Sequence, residues 1–179
     1  LKKGRNGAYA RIDRANSTFL GEVQWAWLKE RLREPADLRL IGSSIQVVAN
    51  QHPFEKWGNF PQERARLLSV IRESKARGVI ILSGDRHQAE LSVMRGGVGY
   101  DLFDMTASSF NKPHEANNKG PIEANMYRMG RVEREANFGV VRIDWEAPDP
   151  GVTLEVHDAT GTVRISERVR LCLLYTSDA

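Results

Sequence analysis

Residues 78–90 read Gly-Val-Ile-Ile-Leu-Ser-Gly-Asp-Arg-His-Gln-Ala-Glu, and the reading of this stretch decides the fold. Residues 79–82 are apolar without interruption, where a half-buried strand would alternate with polar residues. So short and continuous a run fits a central parallel strand covered on both faces. Just upstream, 62–77 places Leu67, Leu68 and Ile71 on one helical face behind Glu63 and Arg64. Asn59 offers a capping side chain, Pro61 suits the first turn, and Gly78 suits the helix end. Before that helix lie an irregular loop, 50–60, and an apolar, β-branched stretch, 38–48, which reads as a buried strand running into a Ser/Gln segment. Strand, loop, helix and strand make a βαβ unit, so the expected fold class is α/β.

Towards the amino terminus, 1–19 is a polar lead-in, with Ser17 and Thr18 as capping candidates at its end. In 20–33, Trp25, Leu28 and Leu32 share a helical face with Trp27 beside it, and both tryptophans read as packing residues. Glu22 in the first turn and Lys29, Arg31 and Arg33 towards the end match the helix dipole, and Pro35 stops the helix. Towards the carboxyl terminus, 89–94 and 100–106 flank Arg95-Gly96-Gly97-Val98-Gly99, a hairpin signal. Residues 108–137 read as a long irregular loop, the kind that is usually functional. Three further strands are expected at 138–145, 152–157 and 162–169. The tail, 171–179 (LCLLYTSDA), resembles translated sequencing-adapter sequence and is expected to be non-native.

Composition narrows the function classes. With 179 residues and 41% hydrophobic content, one substantial core is expected, spanning 20–170. The net charge of +3 comes without any run of Lys/Arg, which argues against a nucleic-acid partner. Cys172 stands alone, excluding an intrachain disulfide and a thiolate metal cluster. No apolar run approaches the roughly 18 residues of a membrane span. The chain opens on Leu1 rather than Met and is expected to be part of a longer protein.

Chemistry concentrates in Ser83-Gly84-Asp85-Arg86-His87. In open α/β sheets, ligands bind beyond the carboxyl ends of the strands, where this turn falls. Asp85 offers a hard oxygen and His87 an imidazole nitrogen, a donor pair suited to Zn, Fe or Mn. Arg86 carries a planar fork that matches phosphate oxygens. Gly84 is expected to permit the sharp turn. Residue types alone leave two readings open: a metal site, or a loop capped by Asp85 with His87 on a backbone carbonyl.

The segments 19–28 (FLGEVQWAWL), 43–47 (SSIQV), 55–60 (EKWGNF), 78–90 (GVIILSGDRHQAE) and 137–139 (NFG) occur in the order found in the PhoD-like alkaline phosphatases, and the chain resembles that family over 19–146. LG-x-x-QW-x-WL and SGDRH-x-AE are the specific matches. The resemblance implies a calcineurin-like metallophosphoesterase, an α/β sandwich hydrolysing phosphate monoesters or diesters with a divalent or trivalent metal cluster (Fe, Ca, Zn or Mn) in a periplasmic or secreted setting. It implies that Asp85 and His87 are metal-site residues, that Gln46 faces the cluster, and that Arg86 contacts phosphate. His52, Glu55 and Trp57 could line the mouth of a cleft, with Trp57 a packing anchor. Asn111 and His114 fall in the long loop, and His157 reads as structural.

A cluster of two or more metals needs more ligands than this chain displays. The family's upstream D-x-H, G-D and G-N-H/D motifs have no counterpart, since Gly58-Asn59 is followed by Phe60. The expectation is therefore a carboxyl-terminal part of a phosphoesterase domain, inactive alone. The alternative is a non-catalytic β-rich binding module that happens to contain D-x-H.

Overall fold

The computed structural model describes residues 8–12, 18–113 and 120–175. Two helices, α1 (Glu22–Arg33) and α2 (Pro61–Glu73), accompany eight strands. These are β1 (Arg39–Ser43), β2 (Val79–Ser83), β3 (Ala89–Met94), β4 (Leu102–Ala107), β5 (Arg128–Glu133), β6 (Asn137–Asp144), β7 (Gly151–Asp158) and β8 (Val163–Arg170). They form a mixed five-stranded sheet, β1-β2-β4-β3-β5, and an antiparallel three-stranded sheet, β6-β7-β8. The α/β expectation holds, with the βαβ unit running β1-α2-β2.

β2 is the inner parallel strand that its apolar run predicts. Val79, Ile80 and Ile81 are fully buried, with parallel neighbours on both sides. Entry into β2 depends on Gly78, whose φ is +64°; a Cβ there would stand 2.1 Å from the carbonyl oxygen of Asp37. Helix α2 has already ended at Glu73, with Lys75 in the left-handed region, so Gly78 opens the strand rather than closing the helix. Phe60, not Asn59, is the residue preceding Pro61 at the helix start.

Three other expectations are corrected. The 38–48 stretch supplies only the five-residue β1, whose side chains alternate between half-buried and exposed because it is the sheet's outer strand with one neighbour. Within 108–137, residues 128–133 form β5, which pairs with β3 antiparallel. Half of its residues are charged and its two apolar ones do not alternate, so apolar patterning gave no sign of it. Trp27 is 59% exposed, because it lies two residues from the buried Trp25 and so points away from the packed face.

The segment before α1 is tied down by one carboxylate. Buried Glu63 of α2 accepts from the backbone N–H groups of Phe19 and Leu20 and from the indole N–H of Trp25. Trp57 packs edge-on against Phe19 and Trp25 and donates to Ser43 Oγ. At the other end, Leu171 and Leu174 are buried, and Gly78 N–H donates to the Leu174 carbonyl at 2.8 Å, whereas Cys172 is exposed.

Candidate active site

The carboxyl ends of β1, β2 and β4 share one edge. Register places Ser43 beside Ser83, Ser83 beside Thr106 and Thr106 beside Glu90, a polar row across four strands. Behind this row lies a buried network. Asp104 accepts from Ser83 Oγ at 2.6 Å and from the N–H groups of Val47 and Val48, both at 2.9 Å. The segment following β1 is thereby held against the sheet. Burial raises the Asp104 carboxyl above the usual range against the pull of those three donors, and the nearby Glu90 charge adds to the rise. Gln46 Nε2 donates to Glu90 Oε1 and Thr106 Oγ1, both at 2.8 Å, and Glu90 pairs with Arg128 at 2.7 Å.

Gln46 is therefore built into this network through its nitrogen, and its Oε1 is buried without a partner. Asp104 and Glu90 are the residues that sequence reasoning missed. Their only local sign is a single acid inside each of two mainly apolar strands, Leu-Phe-Asp-Met-Thr-Ala and Ala-Glu-Leu-Ser-Val-Met.

Beyond Ser83 the chain changes character. Asp85 is exposed and His87 half-buried. Both adopt left-handed backbone, with φ of +71° and +52°, whereas Gly84 does not. A Cβ added at Gly84 would meet the Ser44 carbonyl oxygen and Ser108 only at ordinary van der Waals distance, where the chain leaves β1 and β4. The strain expected to need glycine is thus carried by the two candidate ligands. Neither side chain hydrogen-bonds within the described residues, so the capped-loop reading lacks the bonds that would define it. Among the described residues, no group of three or more His, Cys, Asp or Glu could hold a metal ion. Asp85 and His87 fit as a partial ligand set: one hard oxygen and one imidazole, neither hydrogen-bonded among the described residues.

Arg86 turns inward between them. It is 6% exposed, pairs with Glu123 at 3.2 Å, and lies over the Phe54 ring at 4.4 Å. The 50–59 loop packs here. The His52 ring stacks near Phe54, and Lys56 donates to the Phe54 carbonyl at 3.1 Å. Burial first, then the Arg86 and Lys56 charges, push the His52 imidazole down to about 3. The lead-in crosses this loop: Tyr9 N–H donates to the Pro53 carbonyl, and Asn59 Nδ2 donates to the Tyr9 carbonyl. The Tyr9 phenol is raised by its hydrogen bond to Glu55, with burial and the carboxylates of Glu55 and Asp85 adding to the effect, so Tyr9 also borders the turn.

Other sequence candidates fall elsewhere. Asn111 is exposed, and His114 lies outside the described residues. His157 is bonded through Nε2 to Glu155 at 2.7 Å and through Nδ1 to the Gly161 carbonyl, and it stacks on Phe138.

A parallel strand end thus carries a carboxylate and an imidazole, neither hydrogen-bonded among the described residues, beside a buried arginine. The sequence model of the PhoD-like phosphatase family matches residues 3–143, and the chain belongs to that family. A solved structure titled "Structure of PhoD" superposes with a TM-score of 0.59 at 16% identity, covering 92% of this chain and 39% of that one. At that identity the likeness concerns the fold. This chain therefore spans well under half of the matched structure's length. No curated protein matches.

Proposed function

We propose that this chain is the carboxyl-terminal part of a metal-dependent phosphate-ester hydrolase of the calcineurin-like type, with Asp85 and His87 as two ligands of a larger metal cluster. The observation that carries this reading is the pair itself. Two side chains capable of ligation stand at a parallel strand end without a hydrogen bond among the described residues, each on left-handed backbone that costs on the order of 1 kcal/mol or more. Strain of that kind persists where function repays it, and the family is one of phosphatases. A bound ion of the Fe, Ca, Zn or Mn class would supply Lewis-acid polarisation of the phosphoryl group.

The chain's own residues orient and exclude. β2 holds the turn at the sheet edge, and Asp104 and Ser83 immobilise its root. Arg86 is held by Glu123 and Phe54 on the inner side, within one residue of both ligands. The reading extends to both phosphate monoesters and diesters as substrates and to a periplasmic or secreted location.

Two measurements test it. Purified chain should release no product from chromogenic mono- or diesters with any of these metals, and robust metal-dependent turnover would overturn the partial-site reading. In a complete homologous enzyme, substituting alanine for the histidine equivalent to His87 should lower both metal content and activity; retention of both would remove the ligand assignment.

A further inference from the structure

Three nitrogen-bearing side chains, His52, Lys56 and Arg86, pack against Phe54, and two of them keep a buried N–H without a partner among the described residues. His52 is 4% exposed; its Nδ1 accepts the Phe54 backbone N–H at 3.3 Å, which fixes the neutral tautomer with hydrogen on Nε2. That Nε2 is buried and has no partner. The Arg86 guanidinium lies over the Phe54 ring, and its Nε is likewise buried and unpartnered. Lys56, 7% exposed, spends one hydrogen on the Phe54 carbonyl. Two acids face the group: Glu123, paired to Arg86 through one oxygen with the other unpartnered, and Glu55, engaged by Tyr9. A buried N–H left without an acceptor costs about 1–3 kcal/mol. Both donors belong to residues packed on Phe54, the Arg86 and Lys56 charges both act on the His52 ring, and an external acceptor rich in oxygen would satisfy them. Phe54 is 40% exposed, so the group is not sealed from solvent.

We propose that His52, Arg86 and Lys56 form an anion subsite beside the Asp85–His87 turn, in which His52 donates its Nε2 hydrogen to a phosphoryl oxygen. The inference rests on the phosphoesterase reading for the nature of its ligand and adds a residue to the substrate contacts. A phosphoryl group accepts from several donors at once, and Glu123 competes with it for Arg86.

The test titrates the metal-free full chain with inorganic phosphate while recording the ¹⁵N signals of the histidine rings. His52 is expected as the Nε2–H tautomer, with signals that shift saturably. Calorimetry should find phosphate bound about tenfold more weakly by His52→Ala. His52→Gln, which restores an N–H at the Nε2 position, should recover most of that loss. Glu123→Gln should tighten binding. An Nδ1–H tautomer, a wild-type ring indifferent to phosphate, or equal affinity in a His52→Ala chain with unchanged circular dichroism would overturn the subsite; should His52→Ala fail to fold, the wild-type spectra still decide. Mn²⁺ added separately reports on the metal reading through broadening of His87. Broadening without a phosphate response would remove the subsite alone, and a phosphate response without broadening would remove the metal ligands alone.

Discussion

Ser83 and Asp85 stand two residues apart and belong to opposite regimes. Ser83 is buried at the end of β2, donates to Asp104 at 2.6 Å and lies 2.9 Å from Thr106 Oγ1. Asp85 is exposed, left-handed and unpartnered among the described residues. On the buried side, Ser83, Asp104, Thr106, Gln46 Nε2 and Glu90 pair with one another and hold the strand ends in register, Gln46 Oε1 being an exception. On the outer side they are held out of their preferred backbone with their valences open. The difference separates a hydrogen-bonded polar network, which specifies position, from a pair on strained backbone, which is the proposed ligand set.

The strongest way to break this contrast is to invade the buried side. Asp104→Ala would strip the acceptor from Ser83 and from the Val47 and Val48 N–H groups, and should cost about 3–5 kcal/mol in urea unfolding. Asp104→Asn, which keeps one acceptor oxygen, should cost less. A loss below about 1 kcal/mol for the alanine variant would show that the network is not what holds the strand ends.

A second effect sharpens the boundary through pH. His52 falls to about 3 in the folded chain, below its ordinary unfolded value near 6.5. The unfolded chain therefore takes the proton first as pH falls, so its contribution to stability is intact above about 6.5 and is lost progressively towards 3. The slope is roughly 1.4 kcal/mol per pH unit within that window. Thermal melts across it should show the decline in wild type and a flatter profile in His52→Gln; parallel profiles would mean that His52 is not buried neutral.

The smallest effect has the opposite sign. Asp85→Gly removes a side chain from φ +71° and should stabilise the chain by about 0.5 kcal/mol while removing a proposed ligand. A destabilising result would mean that Asp85 has a structural partner and belongs with Ser83 after all.

Much of this arrangement is legible in the residues. The 79–82 run marked the inner strand, glycines at 96, 97 and 99 marked the hairpin between β3 and β4, and D-x-H at the strand end marked the turn. The turn's partners were not legible. Gln46 reads as a site amide, yet its nitrogen is taken by Glu90 and Thr106, which come from strands far along the chain. β5 was hidden because half of its residues are charged, its two apolar residues, Met129 and Val132, do not alternate, and its pairing with β3 comes from backbone bonds that any side chain permits. Likewise, nothing local distinguishes Arg86 facing solvent from Arg86 buried between Glu123 and Phe54.

The sequence by itself determined most of the local elements, the βαβ order and the family, and it marked the Ser83–His87 turn as the candidate site. Each of these depends on spacing within one or two turns of chain or on short motifs carried intact. Only the tertiary structure decided that β4 inserts beside β2, that β1 lies at the edge, and that Ser43, Ser83, Thr106 and Glu90 form one row. It also decided which polar atoms are satisfied and which are left open at the turn. Those outcomes depend on contacts between residues distant in sequence, where strand order and burial, rather than residue type, set whether a side chain stabilises the fold or awaits a ligand.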